Sequence, residues 1–221
     1  MALYIDSAFL EDIMKVVETV PVAGVTTNPT LMLQAQERGQ DLKPQSILSE
    51  LLRGLGGTIF IQPGATAEEE MYQQALAYIQ AATNRVIPKI PMTHTGMRVA
   101  RRLKQQNHRV AFTAVTSVAQ AYSAAMLGAS FIIPYYNRLE RSGVNAGERI
   151  AEMAELFHNE QFPTRILAAS IKSPLEAVSA LLAGAHDITA APQVLLDMVC
   201  DPQTDEAIEK FTQDWQRINR E

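Results

Sequence analysis

A lysine inside a short apolar segment is the first residue that suggests covalent chemistry. Lys89 lies in the segment Arg85–Thr93, between Ile87 and Ile90. An apolar run bounded by prolines predicts a buried strand. Burial lowers the pKa of a lysine, and a neutral amine attacks carbonyl carbons to form a Schiff base. In the alternative interpretation, Lys89 ends the strand and extends its ammonium group to water.

Polar side chains also follow the apolar runs at most of the other predicted strand ends. Any one of them has a simple structural explanation, since Asp and Asn often cap the next helix. Functional groups at seven of eight strand ends are harder to explain by capping. The candidates are Asp6, Thr26 with Asn28, Gln62, Lys89, Thr113, Tyr135 with Arg138, and Ser170.

These groups suffice for a reaction at a carbon–carbon bond. An amine and a ketone form an iminium ion, which accepts the electron pair when the adjacent bond breaks. A general acid or base moves the protons. Arg138 and Ser170 are candidates for holding an anionic end of the substrate, with phosphate the obvious group. The alternative for Arg138 is a surface ion pair with Glu140 or Glu11.

Strand and helix patterns alternate eight times along the 221 residues, a repeat close to the roughly 30 residues of a βαβ unit. Such alternation predicts a parallel sheet covered by helices, and eight units predict an α/β fold, a single (β/α)8 TIM barrel with an additional C-terminal helix. We expect one domain, residues 1–221, whose active site lies at the carboxyl ends of the strands. A doubly wound open sheet is the alternative. The predicted strands are Ala2–Asp6, Ala23–Thr27, Thr58–Gln62, Arg85–Thr93, Arg109–Val115, Ser130–Tyr135, Arg165–Ser170 and Asp187–Ala190.

The helix signals are clearest after the third strand. Thr66 and Glu69 stand in the register of a capping box, which predicts a helix from Thr66 to about Ala82. The last predicted helix covers Asp205–Asn219.

Composition limits the classes of protein to which the chain can belong. Of its 221 residues, 47% are hydrophobic and 19% are charged, which is typical of a globular protein. The net charge of −5 and the absence of a basic block argue against nucleic acid as a partner. No apolar run is long enough to span a membrane, and a single cysteine, Cys200, fits a reducing cytoplasm. The four histidines lack the spacing of metal ligands, so we expect no metal.

Several segments together resemble the transaldolase family. They match the fructose-6-phosphate aldolase branch best, and they cover nearly the whole chain in order. The segments are Leu3–Asp6, Gly24–Pro29, Lys89–Thr93, Thr113–Val115, Pro134–Arg138, Leu167–Ser170 and Phe211–Trp215.

The resemblance implies a class I aldolase without a cofactor, in which Lys89 forms the Schiff base. It implies that Asp6, Asn28 and Tyr135 surround the reacting hydroxyl groups, with Thr26 also in the binding site. Gln62, Thr113 and Tyr135 would hold the catalytic water. Arg138 and Ser170 would bind the phosphate of the acceptor aldehyde. Members of the family form homo-oligomers, commonly pentamers paired into decamers, in which the C-terminal helix reaches a neighbour.

Two positions bear on which branch of the family the chain resembles. Transaldolases typically have Glu at the position of Gln62 and Phe at that of Tyr135, whereas the aldolases have Gln and Tyr. Other positions depart from the aldolase pattern: Pro63 replaces an apolar residue and Ile133 replaces a small one. We therefore expect an aldolase that cleaves or forms fructose 6-phosphate, or a close relative, from dihydroxyacetone and glyceraldehyde 3-phosphate. A transaldolase is the alternative enzyme, and a barrel that binds sugar phosphates without turnover is the alternative class.

Overall fold

The computed structural model describes residues 1–39 and 43–219. Eight parallel strands close into a barrel in sequence order, which confirms the predicted fold class. The closure is direct, because the first strand pairs with the last, with Ile5 opposite Ala190. The open-sheet alternative is therefore wrong. The strands are β1 (Ala2–Asp6), β2 (Gly24–Thr26), β3 (Thr58–Ile61), β4 (Val86–Pro91), β5 (Ala111–Val115), β6 (Phe131–Pro134), β7 (Arg165–Ile171) and β8 (Asp187–Ala190).

Helices surround this barrel, and the additional C-terminal helix is present. Among the described residues, no helix is both long and apolar enough to cross a membrane. The helices are α1 (Leu10–Val17), α2 (Pro29–Glu37), α3 (Pro44–Gly54), α4 (Glu68–Ala81), α5 (His94–Gln105), α6 (Val118–Met126), α7 (Tyr136–Arg141), α8 (Ala146–Asn159), α9 (Pro174–Leu182), α10 (Pro192–Asp197) and α11 (Pro202–Ile218).

The inward-facing side chains of the strands stack in layers along the barrel. One cluster of buried residues fills the centre, where Phe60 makes edge-to-face contacts with Tyr4 and Phe131 at centroid distances of 5.2 and 5.0 Å. Because side chains alternate along a strand, the residues two positions later form the next layer toward the carboxyl ends. Five of the predicted site residues occupy these positions: Asp6, Gln62, Lys89, Thr113 and Tyr135. The central cluster contains Tyr4, Phe60, Ile87, Ala111, Phe131, Ile133, Leu167 and Ala169.

The predicted capping box at the start of α4 is wrong. The helix begins at Glu68, with Ala67 in the cap position and no side-chain cap. Glu69 instead lies 2.8 Å from Arg102 of α5, and Glu68 pairs with Arg98. These ion pairs fix the first turn of α4 against its neighbour, while its cluster of acidic residues interacts favourably with the helix dipole.

Two helices were not predicted, although their start signals are present in the sequence. Asn28 caps α2 by accepting a hydrogen bond from the backbone N–H of Leu31, and Pro29 occupies the first helical position. The helix α7 follows β6 after a single residue, Tyr135. Its early start brings the guanidinium group of Arg138 over the ring of Tyr135.

Close packing fixes the helix that follows the lysine strand. A Cβ atom at Gly96, in the first turn of α5, would lie 1.9 Å from the backbone oxygen of Pro91. Thr93 caps the same turn by accepting a hydrogen bond from the N–H of Gly96. The end of β4 is therefore held rigidly, two residues beyond Lys89.

Candidate active site

Lys89 lies deep inside the barrel and does not extend to water. The residue is 3% exposed, so the surface alternative is wrong. Burial lowers the pKa of Lys89 below its ordinary value, and the negative charge of Asp6 partly opposes this change. Both effects are physically expected, since an apolar environment disfavours the ammonium ion and a nearby carboxylate favours it. The site therefore holds an amine that is more easily neutralised than a free lysine.

A chain of three hydrogen-bonded side chains occupies the wall formed by β1, β2 and β8. The Thr26 hydroxyl group donates to Asp6 Oδ1 at 2.6 Å, and Thr26 Oγ1 lies 2.7 Å from Thr189 Oγ1. Thr26 is 0% exposed and Thr189 is 1% exposed. The chain fixes the orientation of the Asp6 carboxylate, because neither threonine can turn away without losing a buried hydrogen bond.

A second pair lies on the wall formed by β5 and β6. The Thr113 hydroxyl oxygen and the Tyr135 phenol oxygen are 2.8 Å apart, which agrees with the predicted grouping of these two residues. Gln62 directly follows β3, is half-buried, and lies two residues after the central Phe60. Strand alternation directs it to the same side as Phe60. These three residues are the predicted holders of a water molecule.

The predicted phosphate-binding residues line one open cleft at the carboxyl end of the barrel. The cleft has a volume of about 530 Å³, and Arg138 and Ser170 both line it. The Arg138 guanidinium carbon lies 4.7 Å from the ring centroid of Tyr135, so the cleft adjoins the site layer. No ion pair of Arg138 occurs within residues 1–39 and 43–219. Glu140, its predicted alternative partner, accepts a hydrogen bond from the backbone of Ala146 at 2.7 Å instead.

Backbone irregularities mark two strands where they reach the site. Ala114 in β5 and Ser170 in β7 have positive φ angles of 59° and 60°, in the left-handed region. The pairing of β5 with β6 shifts register at Ala114, and that of β7 with β8 shifts register around Ser170. A left-handed conformation costs a residue with a Cβ atom roughly 1–2 kcal/mol. Strain of this kind tends to occur at functional sites.

Three residues that the structure brings to the site were not predicted from the sequence. Thr189 lies on β8, the one strand end for which no functional group was predicted. Its alternation with Asp187 places it inside the barrel, and this pattern was the available signal. Arg141 and Lys172 line the cleft beside Arg138 and Ser170. Their spacing from those two residues, three and two positions, was also visible in the sequence.

Asn28 and Ile133 have structural roles that limit their freedom. The side-chain oxygen of Asn28 caps α2, so its amide N–H₂ group and the second lone pair of that oxygen remain for a ligand. Ile133 is buried in the barrel interior, and Tyr135 packs against its cluster. Its side chain therefore fills space in the barrel interior next to Tyr135. The described residues contain no group of three or more His, Cys, Asp or Glu side chains that could hold a metal ion.

Comparison with known proteins identifies the family. The model of the family described as Transaldolase/Fructose-6-phosphate aldolase matches residues 3–221. The chain therefore belongs to the Transaldolase/Fructose-6-phosphate aldolase family of enzymes.

Curated relatives match along their full length. A probable transaldolase of Symbiobacterium thermophilum is 35% identical over 216 residues, which cover 98% of this chain and 97% of that protein. A probable transaldolase of Brucella ovis is 34% identical over 220 residues, covering 100% and 99%. One of Thermoplasma volcanium is 32% identical over 219 residues, covering 99% and 97%. Their names favour the transaldolase alternative over the fructose-6-phosphate aldolase that we expected.

Solved structures of other proteins share the barrel fold. A mutant of flavocytochrome B2 superposes with a TM-score of 0.62 at 11% identity, over 89% of this chain and 58% of that one. Inosine 5′-monophosphate dehydrogenase from Legionella pneumophila superposes with a TM-score of 0.54 at 18% identity, over 71% and 50%. This chain thus spans about half the length of those structures, and the likeness concerns the fold alone.

Proposed function

We propose that the protein is a transaldolase that carries a dihydroxyacetone unit between sugar phosphates as a Schiff base on Lys89. The observation that supports this most is a lysine, 3% exposed, with a lowered pKa, on the fourth strand of a barrel of this family. The names of the relatives support transfer as the outcome.

The reaction starts with attack of the neutral Lys89 amine on the ketone carbon of a ketose phosphate. Loss of water gives an iminium ion. Asp6 then accepts the proton of the hydroxyl group on the β carbon, which lies two carbons from the iminium carbon. The β carbon becomes the carbonyl of an aldehyde as the bond between the α and β carbons breaks, and the electron pair of that bond neutralises the iminium as an enamine. An aldehyde phosphate leaves. In transfer, the enamine carbon attacks a second aldehyde, Asp6 returns the proton, and water releases the product from Lys89.

A second candidate function is release of the three-carbon unit to water, which is the aldolase outcome. The hydrogen-bonded pair Thr113 and Tyr135, with Gln62 nearby, favours it. A phenol can protonate the enamine carbon, and the three polar groups can hold the water that hydrolyses the iminium. The two candidates share every step up to the enamine and differ only in its fate.

Arg138 and Ser170 are proposed to bind the phosphate of the aldehyde. Both line the cleft beside Tyr135, and a guanidinium group makes strong, directional hydrogen bonds to phosphate oxygens. Thr26, Asn28 and Gln62 are proposed to complete the site around the three-carbon unit.

One experiment tests the shared chemistry. Borohydride reduction in the presence of dihydroxyacetone should attach a three-carbon adduct to Lys89, detectable by peptide mass spectrometry. Lys89→Met should abolish the adduct, whereas Lys15→Met, which removes an exposed lysine of α1, should not. An adduct on another lysine, or an active Lys89→Met variant, would show that Lys89 is not the nucleophile.

A product assay with the unmodified protein distinguishes transfer to a second aldehyde from release to water. With fructose 6-phosphate alone, the aldolase releases free dihydroxyacetone, whereas the transaldolase is nearly silent until erythrose 4-phosphate is added. Sedoheptulose 7-phosphate as the main product supports transfer. Free dihydroxyacetone as the main product, with the acceptor present, would replace the transaldolase proposal by the aldolase.

We also propose that the protein is a homo-oligomer. The helix α11 has no buried residue, and its apolar side chains Ile208, Phe211, Trp215 and Ile218 are exposed on one face at helical spacing. A second copy of the chain would cover this face, as in the pentamers and decamers that the resemblance implies. Light scattering of the purified protein measures the assembly, and Trp215→Glu should dissociate it. A monomeric protein would contradict the proposal. A cytoplasmic location and independence from cofactors remain predictions.

A further inference from the structure

The phosphate-binding cleft carries more positive charge than one phosphate group requires. Three basic side chains line it: Arg138 and Arg141 of α7, and Lys172, which follows β7. A phosphate monoester carries a charge of about −1.5 to −2 at neutral pH. One cation therefore remains after the phosphate of the acceptor is matched.

Within the part of the chain that the structure describes, none of the three cations forms an ion pair with an acidic side chain. The carboxylates of Glu140 and Glu176 accept hydrogen bonds from neutral N–H groups instead. Glu176 accepts hydrogen bonds from the Asn137 side chain at 2.9 Å and from the Lys172 backbone N–H at 2.8 Å. Glu140 accepts one from the Ala146 backbone N–H. The two carboxylates keep their negative charge, but they hold none of the three cations in an ion pair, and each cation can form a direct contact with a ligand.

The positions of the two arginines separate two binding places. Arg138 lies over the ring of Tyr135 and so at the inner side of the cleft. Arg141 is three residues further along α7, on the same face and about one helical turn, roughly 5 Å, farther from Tyr135. A group bound by Arg138 and Ser170 is therefore nearer the reacting carbon than a group bound by Arg141.

We propose that Arg141 binds a second anionic group of the acceptor, so that the preferred aldehyde carries a phosphate and another anion close to it. This inference rests on the proposed function and specifies its substrate class. The product would be a ketose with two neighbouring anionic groups. The volume of the cleft, about 530 Å³, leaves room for both groups.

Direct binding of inorganic probes tests the proposal without turnover. Isothermal titration calorimetry should show that pyrophosphate binds at least about tenfold more tightly than orthophosphate, the factor expected for one additional charge-assisted hydrogen bond. Arg141→Gln should remove this preference and change orthophosphate binding by less than about twofold. Arg141→Lys should restore part of it. Arg138→Gln should weaken binding of both probes.

A matched control corrects for the general loss of positive charge. Arg101→Gln removes an exposed arginine of α5 outside this cleft, and both affinities should stay unchanged. If Arg141→Gln weakens the binding of orthophosphate and pyrophosphate equally, the cations bind a single phosphate. If it weakens the binding of neither, Arg141 binds no anion. Either result overturns the proposal.

Inhibition kinetics test whether the pyrophosphate probe binds in the acceptor site. Pyrophosphate should compete with glyceraldehyde 3-phosphate, and it should leave borohydride trapping of dihydroxyacetone on Lys89 unchanged. Noncompetitive inhibition would overturn the placement of the second group in the acceptor site. If Lys89 traps no imine and no sugar phosphate turns over, the proposed function fails, while the calorimetry still decides whether Arg141 binds a second anion.

Discussion

Replacing Thr26 by valine removes the central link of the chain from Asp6 to Thr189 while keeping the shape of the side chain. The hydrogen bond to the Asp6 carboxylate, 2.6 Å long, is charge-assisted and contributes about 1.5–3 kcal/mol. The Thr189 hydroxyl, 1% exposed, would also lose its partner, at a cost of about 1–3 kcal/mol. The added methyl group offsets about 0.8 kcal/mol. Since Asp6 is only half-buried, we expect a net loss of about 2–3 kcal/mol of unfolding free energy.

The assay is urea unfolding at one protein concentration, because assembly contributes to apparent stability. Thr189→Val should cost less than about 1 kcal/mol, since Thr26 keeps its bond to Asp6. The variant that carries both Thr26→Val and Thr189→Val should lose no more unfolding free energy than Thr26→Val alone. The double-mutant cycle then gives an interaction energy of about 1 kcal/mol between the two threonines. The rate at which the dihydroxyacetone unit is transferred to a second aldehyde should fall in Thr26→Val. Borohydride trapping on Lys89 should persist, because only the orientation of Asp6 is lost.

The adjacent Thr27 supplies a matched control for this cycle. It is 0% exposed, and its hydroxyl oxygen has no hydrogen-bond partner among residues 1–39 and 43–219. Thr27→Val should therefore be neutral or stabilising. Equal losses of unfolding free energy in Thr26→Val and Thr27→Val would refute the reasoning. Additive losses from Thr26→Val and Thr189→Val would also refute it.

Three further predictions concern the chemistry. Trapping on Lys89 should increase with pH and level off below 10.5, because burial lowers its pKa and the neutral amine is the reactive form. Asp6→Asn should shift this rise in trapping to lower pH, since the carboxylate raises the pKa of Lys89. A shift to higher pH would contradict the assignment. Tyr135→Phe should reduce the release of free dihydroxyacetone and leave trapping on Lys89 intact, as measured by product ratios and mass spectrometry; unchanged release would exclude the phenol as proton donor. Activity should survive dialysis against EDTA, because the iminium accepts the electron pair; a loss that zinc restores would refute the Schiff-base mechanism.

The parts of the fold and site that follow strand periodicity were predictable from the sequence. The alternation of apolar runs indicated the closed barrel, and polar residues at strand ends indicated candidates for the site, among them Asp6, whose charge acts on Lys89. Thr113 and Tyr135, predicted to act together, lie in hydrogen-bond contact. Their pairing depends on neighbouring strands in the barrel, which the predicted strand order supplied.

The parts that depend on tertiary contacts were not predictable in the same way. Glu69 was assigned to a capping box, but the contact with Arg102 of another helix decides its conformation. Thr189 gains its role only from the closure of β8 against β1, which brings it to Thr26. Arg141 becomes part of a binding cleft only because α7 starts directly after β6, and no helix was predicted there.

The left-handed residues Ala114 and Ser170 determine how wide the entrance of the barrel is. Strict alternation would point Val115 and Ile171 into the mouth, above the side chains that surround Lys89. Both residues are instead buried in the outer core, between the barrel and its helices. One left-handed residue in each strand reverses the alternation at the level where the site ends. Two backbone torsion angles thus keep two large aliphatic groups out of the path by which a sugar reaches the lysine.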